Sequence, residues 1–166
     1  PFRGKKWSAL EGGTRVPCII RYPNLIPPGR ESAALISAID LLPSLAHACG
    51  IDLLQHSRGR PVIDGFNVWP TLRGAREVPH PRQDLLYWHG ADGFQAIRKG
   101  PWKLFPNRRH AGLKGSGPAL FNLEKDLQEK IDVSMKHPTT VAELKKLAEL
   151  RLAEIEKNKV ALGKAK

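Results

Sequence analysis

Cysteine and methionine are scarce in this chain, acids are outnumbered, and no long apolar run occurs. The two cysteines, Cys18 and Cys49, lie far apart in sequence. They form neither a Cys-x-x-Cys motif nor a disulfide framework. Each sits in an apolar neighbourhood and reads as a small buried hydrophobe. No apolar stretch approaches the ~18 residues of a membrane-spanning helix, and no signal peptide is visible. Six histidines are present, yet none shows His-x-x-x-His or His-x-His spacing, so no protein-only metal site is expected. A hard cation needs several oxygen ligands, and Asp40, Asp52 and Asp64 read as isolated. Sixteen acidic residues face 27 basic ones, a net charge of +11. That excess favours polyanions, whether nucleic acid, anionic lipid or acidic polysaccharide.

What is there belongs to a folded protein. The 166 residues are 41% hydrophobic with four tryptophans, enough for one sizeable core or one to two small domains. The first residue is Pro1 rather than Met, and the chain reads as a fragment or a processed piece. Val16, Cys18, Ile19 and Ile20 predict a short buried strand within 14–22, ended by Pro23. Asp40 is placed to cap a helix over 40–49 whose apolar face comprises Leu41, Leu42, Leu45, Ala46, Ala48 and Cys49, with Gly50 as the stop. Residues 51–66 read as loop. A short helix is expected over 67–72, stopped by Gly74. The segment 77–82 is a connector and marks a boundary.

After it the period shortens. Strands are expected over 84–89, 94–99, 102–105 and 119–123, with Lys99-Gly100-Pro101 as a hairpin turn. Residues 107–117, basic and rich in glycine, read as a mobile loop. A final helix opens at Pro138 or at the Thr140/Glu143 capping box. Val141, Leu144, Leu147, Ala148, Leu152 and Ile155 share one face, which should cover the sheet.

The most informative stretch runs from Arg3 to Pro17. Its glycines let the backbone approach an anion while Lys5, Lys6 and Arg15 supply charge. Lys6, Glu11-Gly12-Gly13, Arg15 and Pro17, followed by an apolar run and Tyr22-Pro23, resemble a segment of the sulfatase family. The likeness continues in Asp40-Leu41-Leu42-Pro43, in Asp64-Gly65 with Pro70-Thr71-Leu72, in Ala96-Ile97-Arg98-Lys99-Gly100-Pro101-Trp102-Lys103-Leu104, and in Leu120-Phe121-Asn122-Leu123. These landmarks cover roughly residues 1–145 in the family's order.

The resemblance implies an α/β fold, the C-terminal part of an alkaline-phosphatase-like sulfatase. It would end in a small four-stranded antiparallel sheet packed by a C-terminal helix. Residues 1–76 would close the catalytic domain and 77–166 form a smaller subdomain. The implied activity is sulfate ester hydrolysis, with a sulfated small molecule or glycan as partner and no nucleic acid. A phosphonate or phosphate monoester hydrolase of the same superfamily, or a non-catalytic basic module binding polyanions, are the alternatives. The implied setting is periplasmic, secreted or lysosomal.

By the same resemblance Lys6, five positions before Glu11, is the catalytic and substrate-binding lysine that holds a sulfate oxygen. The Lys5-Lys6 doublet departs from the family pattern and leaves open which amine faces the site. Glu11 and Arg15 read as structural. His89, at a strand end, is a candidate substrate-binding residue, or equally a surface histidine. Arg98, Lys99, Lys103, Arg108, Arg109, His110 and Lys114 interleave with Phe94, Trp102 and Phe105. They read first as hairpin packing, then as a glycan contact, then as a nucleic-acid surface. Family members also carry Cys/Ser-x-Pro/Ala-x-Arg, the source of a formylglycine nucleophile, and aspartates that bind calcium. Neither Cys18-Ile19-Ile20-Arg21 nor Cys49-Gly50-Ile51-Asp52 has that pattern. Calcium and nucleophile are therefore expected upstream, and this chain alone is expected to be inactive.

Overall fold

A computed structural model describes residues 2–53, 63–75, 79–90 and 93–159. In chain order it contains α1 (Glu11–Thr14), α2 (Leu41–Ala48), α3 (Trp69–Arg73), β1 (Asp84–His89), β2 (Gly93–Lys99), β3 (Trp102–Phe105), β4 (Ala119–Asn122) and α4 (Pro138–Asn158). Two compact units result. One joins the segment ending at Pro17 to Asp84–Ile155, and the other is built on Cys18–Gln83. The expected grouping put residues 1–76 together, whereas residues 2–17 pack with the sheet. The connector residues 77 and 78, and His56, fall outside the described residues.

The first unit is an antiparallel meander in the order β1-β2-β3-β4. Its faces are set by the period-2 alternation of side chains. Ile97, Leu104 and Leu120 point to one side and meet Val141, Leu144 and Ala148 of α4, with Leu147 packed against them. Tyr87, Ala96, Phe105, Ala119 and Phe121 point to the other and meet Ala9 and Leu10. Both faces are thus covered, which accounts for strands that read as nearly continuous apolar runs. Helix α4 starts at Pro138 and is tied to β1 by Arg151, whose guanidinium donates to Asp84 at 2.9 Å. Only its end departs from expectation, since Ile155 is 44% exposed.

Residues 107–117 are not the loose loop their composition suggests. Asn107 caps a 3-10 turn over Arg108–Ala111, and Ala111 is fully buried. Arg108 pairs with Asp132, which also accepts the Leu120 and Ser134 N–H groups. Burial alone would raise the Asp132 carboxyl, but these donors outweigh it and hold it below its ordinary range.

The second unit is organised by Asp40, which is not isolated. It occupies the N-cap position of α2 without capping that helix by its side chain. Its carboxylate instead accepts the Ser37 N–H at 2.9 Å, the Phe66 N–H at 2.8 Å and Arg82 Nε at 2.7 Å. Ser44 extends the network. Its hydroxyl donates to the Asp40 carbonyl at 2.6 Å and accepts the Val68 N–H at 2.9 Å.

Three expectations fail here for one reason. Residues 15–22 form no strand, because a strand needs a hydrogen-bonding neighbour and they find none among the described residues. Ile19 is 94% exposed, and Cys18 and Cys49 are exposed rather than buried. Leu42 and Leu45, assigned to the covered face of α2, are exposed as well. Apolar content locates a surface that wants covering, not the cover itself.

Burial would lift the Asp40 carboxyl, yet its hydrogen bonds from Arg82, Phe66 and Ser37 win and lower it below 3.8. Its stabilising contribution is complete above that value and is lost as pH falls through the lower folded value. Asp40→Asn should cost the second unit about 3 kcal/mol by leaving Arg82 buried and unpaired. It should also flatten the acid limb of urea midpoint against pH.

Candidate functional site

The loop bearing Lys6 is shaped by the Glu11-Gly12-Gly13 turn beneath it. The Gly12 N–H donates to the Arg3 carbonyl at 2.7 Å. A Cβ on Gly12 would lie 2.6 Å from that oxygen, and one on Gly13 would lie 2.2 Å from the Ser8 carbonyl oxygen and 2.6 Å from that of Lys5. No side chain fits, so both glycines are required by close backbone approach rather than by a left-handed φ. Arg3 adds two bonds, donating to the carbonyls of Glu129 at 2.6 Å and Ala111 at 2.8 Å.

Underneath lies a buried ionic cluster. Lys103 Nζ reaches Glu11 Oε1 at 2.8 Å and Glu129 Oε1 at 3.0 Å, and the three residues are between 0 and 2% exposed. Glu129 Oε2 accepts the Glu11 N–H at 2.7 Å. Arg15 and Arg98 each approach Glu11 Oε2 at 3.8 Å, and the Lys103 ammonium lies 4.1 Å from the Tyr87 ring centroid. Burial pushes the Glu129 carboxyl up, and Glu11 adds to that, against the pull of Lys103. Burial and the same glutamates raise the Tyr87 phenol. Glu11 is thus structural, as expected. Lys103 follows the first of its three readings, hairpin packing: a buried, paired ammonium offers nothing to a glycan or a nucleic acid.

Above the cluster the surface holds Lys6, Trp7 and His89. Lys6 is exposed, and its Nζ lies 5.0 Å from the Trp7 ring centroid. The imidazole of His89, at the end of β1, meets the indole edge-to-face with centroids 6.0 Å apart. The two candidate residues, remote in sequence, flank one aromatic ring. Lys5 is exposed too, but its carbonyl is packed on Gly13 and only the Lys6 amine lies over the indole. Among the described residues no three His, Cys, Asp or Glu side chains converge to hold a metal.

No family model matches the chain. It is 34% identical to the steryl-sulfatase of Mus musculus in an alignment 154 positions long that covers 78% of this chain and 24% of that protein. It is 30% identical to the N-acetylgalactosamine-6-O-sulfatase of Bacteroides thetaiotaomicron in an alignment 164 positions long that covers 89% of this chain and 29% of the relative. The chain belongs to the sulfatase family. A Bacteroides thetaiotaomicron structure, solved in connection with metabolism of multiple glycosaminoglycans, matches it with a TM-score of 0.70 at 30% identity. That match covers 89% of this chain and 31% of the other. The α/β sulfatase fold with its terminal four-stranded sheet and helix is therefore established. The chain spans about a quarter of the length of the curated relatives it matches.

For a sulfatase, the sequence reading overlooked Trp7 and Glu129. Glu129 sits in a run of loop residues with no periodicity to mark it. Trp7 carried a usable signal: a bulky aromatic among glycines and lysines has no core to fill.

Lys103→Met should destabilise this sulfatase unit by about 3–5 kcal/mol in urea unfolding, since two buried carboxylates lose their shared cation. Gly13→Ala should also lower the midpoint, whereas Lys6→Ala, at an exposed position, should leave it within about 0.5 kcal/mol.

Proposed function

We propose that this chain is the C-terminal part of a formylglycine-dependent sulfatase that hydrolyses sulfate esters. Lys6 holds a sulfate oxygen and His89 stands at the substrate rim. The observation that carries the reading is the placement of Lys6: an unburied ammonium, with no acidic partner at salt-bridge distance among the described residues, on a loop fixed by buried ion pairs. A positioned cation in that setting counters charge that builds on the sulfuryl group and leaving oxygen as the S–O bond breaks. Because the loop is organised before substrate arrives, little reorganisation is needed at that moment.

The nucleophile and the calcium ligands belong, in this reading, to sequence outside these residues. In the second unit the exposed Ile19, Leu42 and Leu45 are apolar side chains which that part would cover. A sulfated glycan is the favoured substrate class. The net charge of +11 supports it, as does the relative that bears an N-acetylgalactosamine sulfatase name. A phosphonate or phosphate ester is less favoured, since the relatives named above are sulfatases. The setting is an exported or lysosomal compartment, and no helix among the described residues is long and apolar enough to cross a membrane.

The upstream reading frame should contain Cys/Ser-x-Pro/Ala-x-Arg. In the full-length protein, Lys6→Ala should lower kcat/KM for an aryl sulfate by roughly 10²–10³. A loss of only a few-fold would remove Lys6 from the site.

A further inference from the structure

We propose that Trp7 is a substrate-binding residue, the platform on which the sugar ring of a sulfated saccharide rests while Lys6 meets its sulfate. The proposal rests on the sulfatase reading above and adds a residue and a ligand class to it.

Trp7 is the least economical residue in its loop. Its backbone has φ +72°, a left-handed conformation that is costly for a bulky side chain, by about 1–3 kcal/mol. Burial does not compensate, because 73% of the residue is exposed. Among the described residues two groups meet the indole. The Lys6 ammonium lies 5.0 Å from its centroid, and His89 meets it edge-to-face. A glycine here would satisfy the turn and cost less. Among the described residues nothing buries the indole, and a saccharide beside Lys6 would give it a partner.

The chemistry selects the ligand. A pyranose presents a face of C–H bonds whose partial positive charge suits the negative face of an aromatic π-system. A sulfated sugar couples that face to an anion a few ångströms away, and Lys6 supplies the matching cation beside the ring. A simple aryl sulfate carries the anion but asks less of the platform, because its contact area is small. Lys6 thus serves every sulfate ester, whereas Trp7 discriminates by what bears the sulfate.

The test uses the full-length enzyme with Trp7→Gly, Trp7→Phe and Lys6→Ala. The substrates are 4-nitrophenyl sulfate and whichever of a panel of sulfated glycosaminoglycan and carrageenan oligosaccharides the parent turns over fastest. Trp7→Gly should raise KM for the oligosaccharide roughly tenfold, and lower kcat/KM for the oligosaccharide several-fold more than for the aryl sulfate. Trp7→Phe should recover most of the loss, and the melting temperature of Trp7→Gly should equal or exceed that of the parent. Equal losses on both substrates, or no loss on either, would overturn the proposal. So would a fall of several degrees in melting temperature, which would make the indole a packing residue. A parent that cleaves aryl sulfates but no sulfated saccharide would sink the sugar platform and leave the sulfatase reading standing. A parent that cleaves no sulfate ester would take both down.

Discussion

One ammonium, that of Lys103, holds the first unit together at its most demanding point. It is buried between two carboxylates, Glu11 and Glu129. A lone charge in such surroundings is prohibitively costly, so each of the three residues is tolerable only because the others are present. The arrangement is specific as well as strong. Glu129 fixes Glu11 twice, through the shared lysine and through the Glu11 N–H, and so sets where helix α1 begins. From that start the two glycines bring the carbonyls of Arg3, Lys5 and Ser8 into contact, and the Lys6 loop takes its form from that contact. A position on the molecular surface is thus determined by a pairing in the interior.

The sheet that carries Lys103 depends on the same logic of faces. Arg98 and Lys103 are register partners on adjacent strands and stand on the side that meets Glu11, while Ile97 and Leu104 stand on the side that meets α4. A one-residue slip between β2 and β3 would turn the cation into the apolar layer. The ionic cluster therefore enforces the register that the hydrophobic pattern requires.

Much of the first unit was legible from sequence. β1 and β3 match their expected limits, the hairpin at Gly100-Pro101 was marked by its turn residues, and α4 starts at the proline that can open it. The reasons are local: period, turn chemistry and capping. What was not legible is long-range. Nothing in Trp102-Lys103-Leu104-Phe105 distinguishes a buried lysine from one whose stem lies along a sheet and whose head reaches water, and the acid that decides the matter lies far along the chain. Asp40 looked isolated for the same reason, since Arg82 and Phe66 reach it from distant positions. Cys18 and Ile19 erred the other way. Their pattern was read correctly as apolar, but apolarity does not guarantee a neighbour. At the candidate site, Lys6 and His89 were each suggested by family likeness, while the ring between them needed the fold to be seen.

The reach of the cluster along the chain also bears on how the protein is made. The bond from the Glu11 N–H spans 118 positions, and that from Lys103 to Glu11 spans 92. A ribosome delivers residues in order, at about 5–20 per second. For several seconds after the Lys6 loop emerges, the acid that shapes it has not been synthesised. The loop that comes first in this sequence is therefore among the last parts to acquire its form, and a nascent chain interrupted before Glu129 displays the lysine without the geometry that gives it meaning.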